Sequence, residues 1–386
     1  MPDVRCRSRQ GSLEAALGVR GRARQWGGAL QWLREASDSG VNSGKGHYTV
    51  IVSACGQGRQ WHWSLRLLSG TLETRAEPDV ISYGAGISAC EKGRQWQRAL
   101  SLLSEMWGAK LEPDVIFIYN GGISACEKSG QWQRALRLLC EIWEVRLEPD
   151  VISCNAGISA CEKSEKWQQA LSLLRGMPDA MLEPNVVSYS AGISACAKGE
   201  QWQRALSLLS EMLVAKVEPN VISCNAGISA CEKGEKWQHA LVLIREILKV
   251  ELEPDAITYS AGISACVTGE QWQRALSLLH EMWEMKVEPN VISFSAGISA
   301  CEKGEQWQRA LSLLVAMREA RVDPDVTSCN AGISACGKGE QWQRALVLLA
   351  EMSDAMLEPD VSATALESAR VRSASSGRGP CRCSAR

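Results

Sequence analysis

Two sets of mostly small polar side chains recur along this chain every 35 residues, or once after 36, and could form selective hydrogen bonds. Asn donates and accepts, Ser and Thr offer a hydroxyl, and Asp accepts, while the surrounding residues hardly change. These residues either contact a ligand or serve the chain itself as helix N-caps and first-turn residues. The first set is Thr49, Gly84, Asn120, Asn155, Ser190, Asn225, Ser260, Ser295 and Asn330. The second set is Asp79, Asp114, Asp150, Asn185, Asn220, Asp255, Asn290, Asp325 and Asp360.

A third recurrent set is basic and is interrupted at Gln57 and Thr268. Lysines near the end of a helix complement its dipole. A row of them could equally contact phosphate groups, which would make binding salt-dependent. The set comprises Lys92, Lys128, Lys163, Lys198, Lys233, Lys303 and Lys338.

Patterns typical of catalysis and metal binding are missing from the sequence. It contains no Walker loop, nucleophile elbow or His-Glu-x-x-His motif, and it lacks the His-x-Glu and Cys-x-x-Cys motifs of a zinc deaminase. Cys381 and Cys383 have the wrong spacing for a metal site. We therefore expect no enzymatic activity, no cofactor and no metal.

All of these positions belong to one unit that is copied nine times. Fifteen Trp against two Phe already indicates a duplicated pattern, since nine Trp share one position in the unit. Nine Cys recur in an apolar Ile-Ser-Ala-Cys context or a close variant of it, which favours buried, reduced thiols and a reducing compartment over disulfides. The units, numbered here as repeats 1 to 9, span 45–79, 80–114, 115–150, 151–185, 186–220, 221–255, 256–290, 291–325 and 326–360.

Each repeat has the pattern of a helical hairpin. In repeat 2, Tyr83, Ile87 and Cys90 lie at helical spacing, and Gly93 predicts the end of this first helix, helix A. Apolar residues from Trp96 to Met106 predict an amphipathic second helix, helix B, ending before the Glu-Pro step. Because neither helix can bury its apolar face alone, we predict an all-α, right-handed α-solenoid of stacked helix-turn-helix repeats with helix A lining a concave surface.

Two residues of this pattern need a packing explanation. The Trp that opens helix B has Ala and Leu on its face, so we interpret it as core between repeats rather than as a base-stacking platform. A Gly inside helix A, such as Gly86, costs about 1 kcal/mol relative to Ala. We therefore expect close approach of an adjacent helix at that point.

The segments that flank the array differ from it in charge. Residues 1–44 retain a degenerate capping repeat and are rich in arginine, and residues 361–386 predict a partial helix followed by a disordered basic tail. The whole chain has a net charge of -2, but residues 45–360 carry 30 basic and 39 acidic side chains, so the array itself is more acidic than the chain as a whole. No apolar run approaches the roughly 18 residues that span a bilayer, so we expect no membrane association.

The unit resembles the pentatricopeptide repeat family in its period and its motifs. A Pro-Asp or Pro-Asn step is followed by Val-Ile-Ser-Tyr-Asn/Ser, Ile-Ser-Ala-Cys-x-Lys, Ala-Leu-x-Leu-Leu and Glu-Met, and the match covers residues 45–360. In this family each repeat reads one base of single-stranded RNA, chiefly through its fifth and last residues. These are the two polar sets described above, so the resemblance implies that they read bases.

The family's pairing preferences imply a target sequence. Asn/Asp pairs imply uracil, Asn155 with Asn185 a pyrimidine, Ser/Asn pairs adenine, and Thr/Asp or Ser/Asp pairs guanine, whereas Gly84 with Asp114 has no standard assignment. The implied string is 5'-G-N-U-Y-A-U-A-G-U-3', with the extra residue near Phe117 disturbing repeat 3. The second residue of each repeat would sandwich the bases, although it also suits ordinary helix-start packing. These residues are Ile81, Ile116, Ile152, Val187, Ile222, Ile257 and Ile292, with Thr327 in repeat 9.

The implied partner is single-stranded RNA, together with RNA-processing or translation factors, and the chain is expected to be a monomer. The alternative is a helical scaffold that binds a peptide, as in the related tetratricopeptide repeat of about 34 residues. Arginines within residues 1–25 and the family resemblance favour a mitochondrion or chloroplast over the cytoplasm. An array with excess acidic residues would bind RNA with modest, strongly salt-sensitive affinity.

Overall fold

The structure is a computed structural model that describes residues 51–354 apart from 54, 57–59, 74–78, 110, 112–115, 146 and 250–251. The capping repeat predicted for residues 1–44 and the tail predicted for residues 361–386 lie outside the described residues. Contacts divide the chain into two units, Met1–Ala195 and Cys196–Arg386.

Repeats 2 to 4 and 6 to 9 are helical hairpins, as predicted. Helix A of repeats 2 to 9 spans Val80–Lys92, Ile116–Lys128, Val151–Lys163, Val186–Lys198, Val221–Lys233, Ala256–Thr268, Val291–Lys303 and Val326–Lys338. Helix B of repeats 1 to 9 spans Trp61–Glu73, Trp96–Gly108, Trp132–Glu144, Trp167–Gly176, Trp202–Val214, Trp237–Lys249, Trp272–Glu284, Trp307–Glu319 and Trp342–Asp354. A 3-10 turn, Pro178–Ala180, follows helix B of repeat 4.

Within each unit the hairpins stack so that helix A contacts several neighbours. Helix A of repeat 7 packs against its own helix B, against helix B of repeat 6 and against helix A of repeats 6 and 8. Its Ile263 and Cys266 are buried beside Leu279 and Met282 of helix B. Burying each large apolar side chain stabilises the fold by about 1.5–3 kcal/mol. This arrangement confirms the predicted all-α solenoid of helix-turn-helix repeats.

The Trp that opens helix B packs against the following repeat, which confirms its predicted place between repeats. Trp272 of repeat 7 lies beneath Gly304, where an added Cβ would be 2.5 Å from Cγ and 3.0 Å from Cβ of the Trp. The Arg309 guanidinium of repeat 8 stands 4.8 Å above the same ring, a cation–π contact. A side chain at Gly304 would therefore clash with Trp272 as the ring is placed here, whereas repeats 3 and 4 have Ser129 and Ser164 at this position.

The conformation at this helix end differs from the usual glycine stop. Gly304 has an ordinary right-handed φ of -82°, and the following Glu305 adopts the left-handed φ of 56°. Left-handed caps usually contain Gly because other residues lose stability there. Repeat 8 instead has Gly one position earlier, where an added side chain would clash with Trp272.

The Gly inside helix A also marks a close approach, as predicted. A Cβ at Gly227 would lie 2.6 Å from Leu209 Cδ1, and one at Gly157 would lie 2.5 Å from Leu139 Cδ1. In both cases the Leu belongs to helix B of the preceding repeat. The gain from this packing offsets the propensity cost of a mid-helix Gly.

Cys126, Cys140 and Cys161 form no disulfide, and the described cysteines of the repeat motif are buried. Burial raises the pKa of the Cys126 and Cys161 thiols to about 11. Cys140, on helix B of repeat 3, is exposed.

We expect Cys140 to be alkylated far faster than Cys126 in the folded protein at pH 8. The pKa of about 11 leaves Cys126 with about 100-fold less of the reactive thiolate than an ordinary thiol has, and burial also blocks access. Timed iodoacetamide pulses followed by peptide mass spectrometry measure the two rates, with urea-unfolded protein as the control in which they converge. Equal rates in the folded protein would contradict the burial of the repeat cysteines.

Candidate nucleic-acid interface

The last residue of a repeat caps helix A of the next repeat. Asp255 Oδ1 accepts from the Thr258 backbone N–H at 2.9 Å, and Asn290 Oδ1 accepts from the Ser293 N–H at 2.9 Å. Both residues have the extended backbone that an N-cap needs. The local explanation of the Asp/Asn set is therefore correct, and it does not exclude a second role for these residues.

The cap residue also meets the fifth residue of its own repeat, 30 positions earlier. The described pairs that lie within one unit are within hydrogen-bond distance, as these donor-to-acceptor distances show: Asn120 Nδ2 to Asp150 at 3.2 Å, Asn155 Nδ2 to Asn185 at 3.3 Å, Asn225 Nδ2 to Asp255 at 3.0 Å, Ser260 Oγ to Asn290 at 3.4 Å and Ser295 Oγ to Asp325 at 3.1 Å. The fold thus places fifth residues of the first polar set beside last residues of the second set, although the two lie 30 positions apart in the chain.

The other predicted pairs are incomplete in the described structure. Thr49, Asp114 and Asp360 lie outside the described residues, so their pairs with Asp79, Gly84 and Asn330 stay predictions. Ser190 and Asn220 belong to different units, and their pairing also stays a prediction.

A third polar residue joins the pair and was not singled out from the sequence. The Thr258 hydroxyl donates to Asn225 Oδ1 at 2.6 Å, and the Ser153 hydroxyl donates to Asn120 Oδ1 at 2.6 Å. Thr258 and Ser153 occupy the third position of the following repeat, and both are fully buried. The only sequence signal was a recurring Ser or Thr three residues after Pro-Asp or Pro-Asn, which also satisfies an N-cap pattern.

The cap carboxylates stay ionised. Burial raises the pKa of Asp255, but hydrogen bonds from the Thr258 backbone, the Thr258 hydroxyl and the Asn225 amide lower it further, so the pKa lies below its usual value. Asp150 and Asp325 have lowered pKa values, where hydrogen bonds again outweigh burial. Each therefore acts only as an acceptor at neutral pH.

Exposed aliphatic side chains flank the polar pairs. Ile257 and Ile292 are 63% and 62% exposed although they open well-packed helices. Ile292 and Thr327 line a cleft of about 420 Å³ that also contains Ser295 and Asp325. One polar pair and two consecutive second-position residues thus share one cleft, while base sandwiching itself stays a prediction.

Repeat 3 has a different register from the one expected. Its helix A begins at Ile116, so the extra residue precedes the helix and Phe117, not Ile116, is the second residue of the helix. Phe117 is 54% exposed, whereas Ile116 is half-buried. An added Cβ at Gly84 would be 3.1 Å from the Phe117 ring, so this ring covers the position that carries a polar side chain in other repeats.

Some of the recurrent lysines form salt bridges with Glu side chains, which offset their charge. Lys128 pairs with Glu91 at 2.7 Å, Lys163 with Glu127 at 2.8 Å and Lys338 with Glu302 at 3.2 Å, in each case with the preceding repeat.

At two other lysines, the residue at the position of this Glu is not acidic. Lys303 meets Val267 in place of the Glu and donates to its carbonyl oxygen at 3.0 Å, and the residue equivalent to this Glu for Lys233 is Ala197. Neither Lys233 nor Lys303 forms a salt bridge with a described residue. Phosphate contact stays a prediction for the whole set. Lys92, which has Gly56 in place of the Glu, likewise forms no salt bridge with a described residue.

The described residues include neither a membrane-spanning helix nor a metal site. Each described helix is too short or too polar to cross a membrane. No group of three His, Cys, Asp or Glu side chains within the described ranges is arranged to hold a metal ion.

Solved structures with a similar fold are repeat proteins of the same architecture. The chain aligns with PPR10 in complex with an 18-nt psaJ RNA element at a TM-score of 0.76 and 17% identity, covering 95% of this chain and 55% of that one. A cysteine-to-serine variant of PPR10 in complex with the same RNA element gives the same values. The chain thus spans about half the length of these structures, and identity at this level establishes the fold alone.

Family comparisons by sequence agree with the fold. No curated protein matches the chain. The PPR repeat family matches residues 149–198 and 184–233, the pentatricopeptide repeat domain matches 101–164 and 242–304, and the PPR repeat matches 81–111. The chain belongs to the pentatricopeptide repeat family.

Proposed function

We propose that this protein binds single-stranded RNA sequence-specifically, reading one base per repeat, and that it acts without catalysis of its own. The observation that carries the proposal is the hydrogen-bonded pair of fifth and last residues, which recurs between successive helices A at one repeat per step. Exposed aliphatic residues beside these pairs, as at Ile257 and Ile292, provide apolar surfaces against which bases can stack.

The capping role determines which atoms the last residue presents to a base. An N-cap must use an acceptor, so Asn290 uses Oδ1 for the Ser293 N–H and its Nδ2 donors point away from the helix. Asp255 and Asp325 have only acceptors to present. Cap residues therefore differ in what they present to a base: Asn offers hydrogen-bond donors and Asp offers acceptors.

This difference matches the Watson–Crick edges of the bases. Uracil and guanine carry an N–H at the central ring nitrogen, which suits an Asp acceptor, while adenine and cytosine carry an acceptor there, which suits an Asn donor. Asp255 and Asp325 therefore suit uracil or guanine, and Asn220 and Asn290 suit adenine or cytosine. These assignments agree with the string 5'-G-N-U-Y-A-U-A-G-U-3' that the family resemblance implies.

An electrophoretic mobility shift tests the function directly. We expect the nine-base string to bind more tightly than scrambled RNA of the same composition, with affinity falling as salt increases. Indifference to sequence or absence of binding at moderate salt would contradict the proposal. Binding of a peptide in preference to RNA would favour the scaffold alternative.

The lysines give a second prediction, on the salt dependence of this binding. Lys303→Gln should reduce the slope of log affinity against log salt by about 0.7, the value for one phosphate contact on a single strand. Glu302→Gln should steepen the slope by a similar amount because it releases Lys338 from its salt bridge. Titrations at four salt concentrations measure both slopes. Unchanged slopes in the two variants would show that these lysines do not contact RNA phosphates.

We also propose that the bound RNA is stabilised, processed, spliced or translated in a mitochondrion or chloroplast. Support comes from the arginine-rich composition of residues 1–25 and from the family. Fluorescent fusion of the full chain tests the location, and uniform cytoplasmic signal would contradict it.

A further inference from the structure

The third-position hydroxyl makes the same bond after every described Asn repeat. Ser153, Ser188 and Thr258 each donate to the Oδ1 of the preceding fifth-position Asn at 2.6 Å. This distance is shorter than the distance from the same hydroxyl to the cap side chain, which is 2.7 Å, 3.1 Å and 2.9 Å respectively. The hydroxyl oxygen itself accepts from the cap backbone N–H, as between Asp255 and Thr258 at 3.2 Å.

The third-position hydroxyl donates to a different acceptor when the preceding fifth residue is Ser. Ser293 follows Ser260, and its hydroxyl donates to the backbone carbonyl of Asn290 at 2.9 Å. Ser260 donates to the Ala256 carbonyl at 2.6 Å, within its own helix. Ser328 follows Ser295 and accepts from its hydroxyl at 3.3 Å, while its own hydroxyl donates to the Asp325 carboxylate. Donation from the third residue to the fifth therefore accompanies an Asn in the described repeats and is not a general feature of the cap.

Two bonds fix the orientation of the Asn amide. On one side the cap side chain offers an acceptor to Nδ2, and on the other the buried hydroxyl offers a proton to Oδ1. Rotating the Asn225 amide by 180° would place Oδ1 against the Asp255 carboxylate, where two acceptors repel. With the hydroxyl present, one Nδ2 hydrogen and one Oδ1 lone pair remain for a ligand in a defined order.

We infer that the hydroxyl at the third position of the following repeat is a specificity-determining positioning residue for each Asn base reader. The inference rests on the proposed function. Thr258 holds the Asn225 amide in the orientation that discriminates among bases, and Ser153 and Ser188 do the same for Asn120 and Asn155. A hydroxyl that follows a Ser reader, such as Ser293, has no such role.

The chain contains natural variants of this position. Ile118 is the third residue of helix A in repeat 3, and the reader that it follows is Gly84, which has no amide to hold. After the Asn330 repeat the sequence has Ala363 where the hydroxyl would be, and Asn330 Oδ1 is buried without a hydrogen-bond partner among the described residues. We therefore expect the last base of the string to be read less selectively than the sixth.

A matched pair of variants separates this role from capping. Thr258→Val keeps the shape of the side chain and removes the hydroxyl after an Asn reader, while Ser293→Ala removes one after a Ser reader. Both variants lose the hydrogen bond from the cap backbone N–H, which is 3.2 Å for Asp255 and 2.9 Å for Asn290. Only Thr258→Val loses a bond to the side chain of a fifth-position reader, Asn225. Thr258→Ser restores the hydroxyl and serves as the conservative rescue.

Binding constants are measured for nine-base RNAs that carry each of the four bases at the sixth or the seventh place. Thr258→Val should reduce the preference for uracil at the sixth base by about fivefold or more. Ser293→Ala and Thr258→Ser should leave all preferences within about twofold of the wild type. Equal weakening for all four bases in Thr258→Val, or an unchanged preference, would overturn the inference.

A measurement without RNA distinguishes failure of the inference from failure of the proposed function. In protein labelled with nitrogen-15 at asparagine, hydrogen exchange of the Asn225 side-chain amide should accelerate in Thr258→Val and not in Ser293→Ala. Wild-type protein that binds all sequences equally would overturn the base-reading function. Unchanged amide exchange in Thr258→Val would overturn the positioning role.

Discussion

Replacing Asn225 by Ser is expected to move the preference at the sixth base from uracil to guanine. The substitution creates a Ser/Asp pair like Ser295 with Asp325, while Asp255 still presents acceptors that suit the N–H of uracil or guanine. Ser is shorter than Asn, and in Ser260 and Ser295 the hydroxyl turns back to a carbonyl of its own helix at 2.6 and 2.7 Å. The space that the amide leaves accommodates the larger purine ring.

The expected change in discrimination is about 1–3 kcal/mol, by analogy with base-edge contacts in other complexes. Equilibrium binding to four RNAs that differ only at the sixth base measures it. RNAs varied at the seventh base are the control, because Ser260 and Asn290 are unchanged. A persistent preference for uracil, or equal loss of affinity for all four bases, would contradict the assignment of Asn225 as a reader.

Replacing Gly304 by Ala is expected to destabilise the carboxyl-terminal unit by about 1–3 kcal/mol, the usual cost of overpacking. The φ of -82° at Gly304 suits Ala, so the effect is steric and not conformational. The added methyl would lie 2.5 Å from Cγ and 3.0 Å from Cβ of Trp272. The Cβ of Trp272 is fixed to its backbone and its Cγ moves only by rotation about χ1, so either the ring must leave its rotamer or the stacking of repeats 7 and 8 must change.

Gly297→Ala is the matched control because Gly297 lies in the helix that Gly304 ends. Its added Cβ would be 3.3 Å from Leu279 Cδ2, the tip of a flexible side chain, and Ala is favoured over Gly by about 1 kcal/mol inside a helix. We expect this variant to be neutral or more stable. Urea midpoints followed by circular dichroism compare the two variants, and equal midpoints would contradict the role assigned to the Trp contact.

The helices were predictable because their determinants are local. Apolar residues at helical spacing, an Asp or Asn cap and a Gly at the helix end all act within one hairpin, so Val80–Lys92 and Trp96–Gly108 agree with the pattern in repeat 2. Copying the pattern nine times also indicated stacking, since a lone hairpin leaves one apolar face uncovered.

The register of repeat 3 was not predictable from spacing alone. Counting from Asp114 selects Ile116 as the second residue, while the structure begins the helix there and exposes Phe117. Buried Ile118 and Tyr119 determine the register through packing, which a count along the chain does not include.

By itself the sequence determined the repeat, its two helices, the capping residues and the candidate readers, because each depends on residues close together in the chain. Only the tertiary structure decided that the amide of Asn225 meets Asp255 and Thr258, and that Glu302 neutralises Lys338 while Lys303 has no acidic partner in the part of the chain that the structure describes. These contacts join residues 30 to 36 positions apart. They depend on how one hairpin is rotated and shifted against the next, and side-chain packing between repeats sets that geometry.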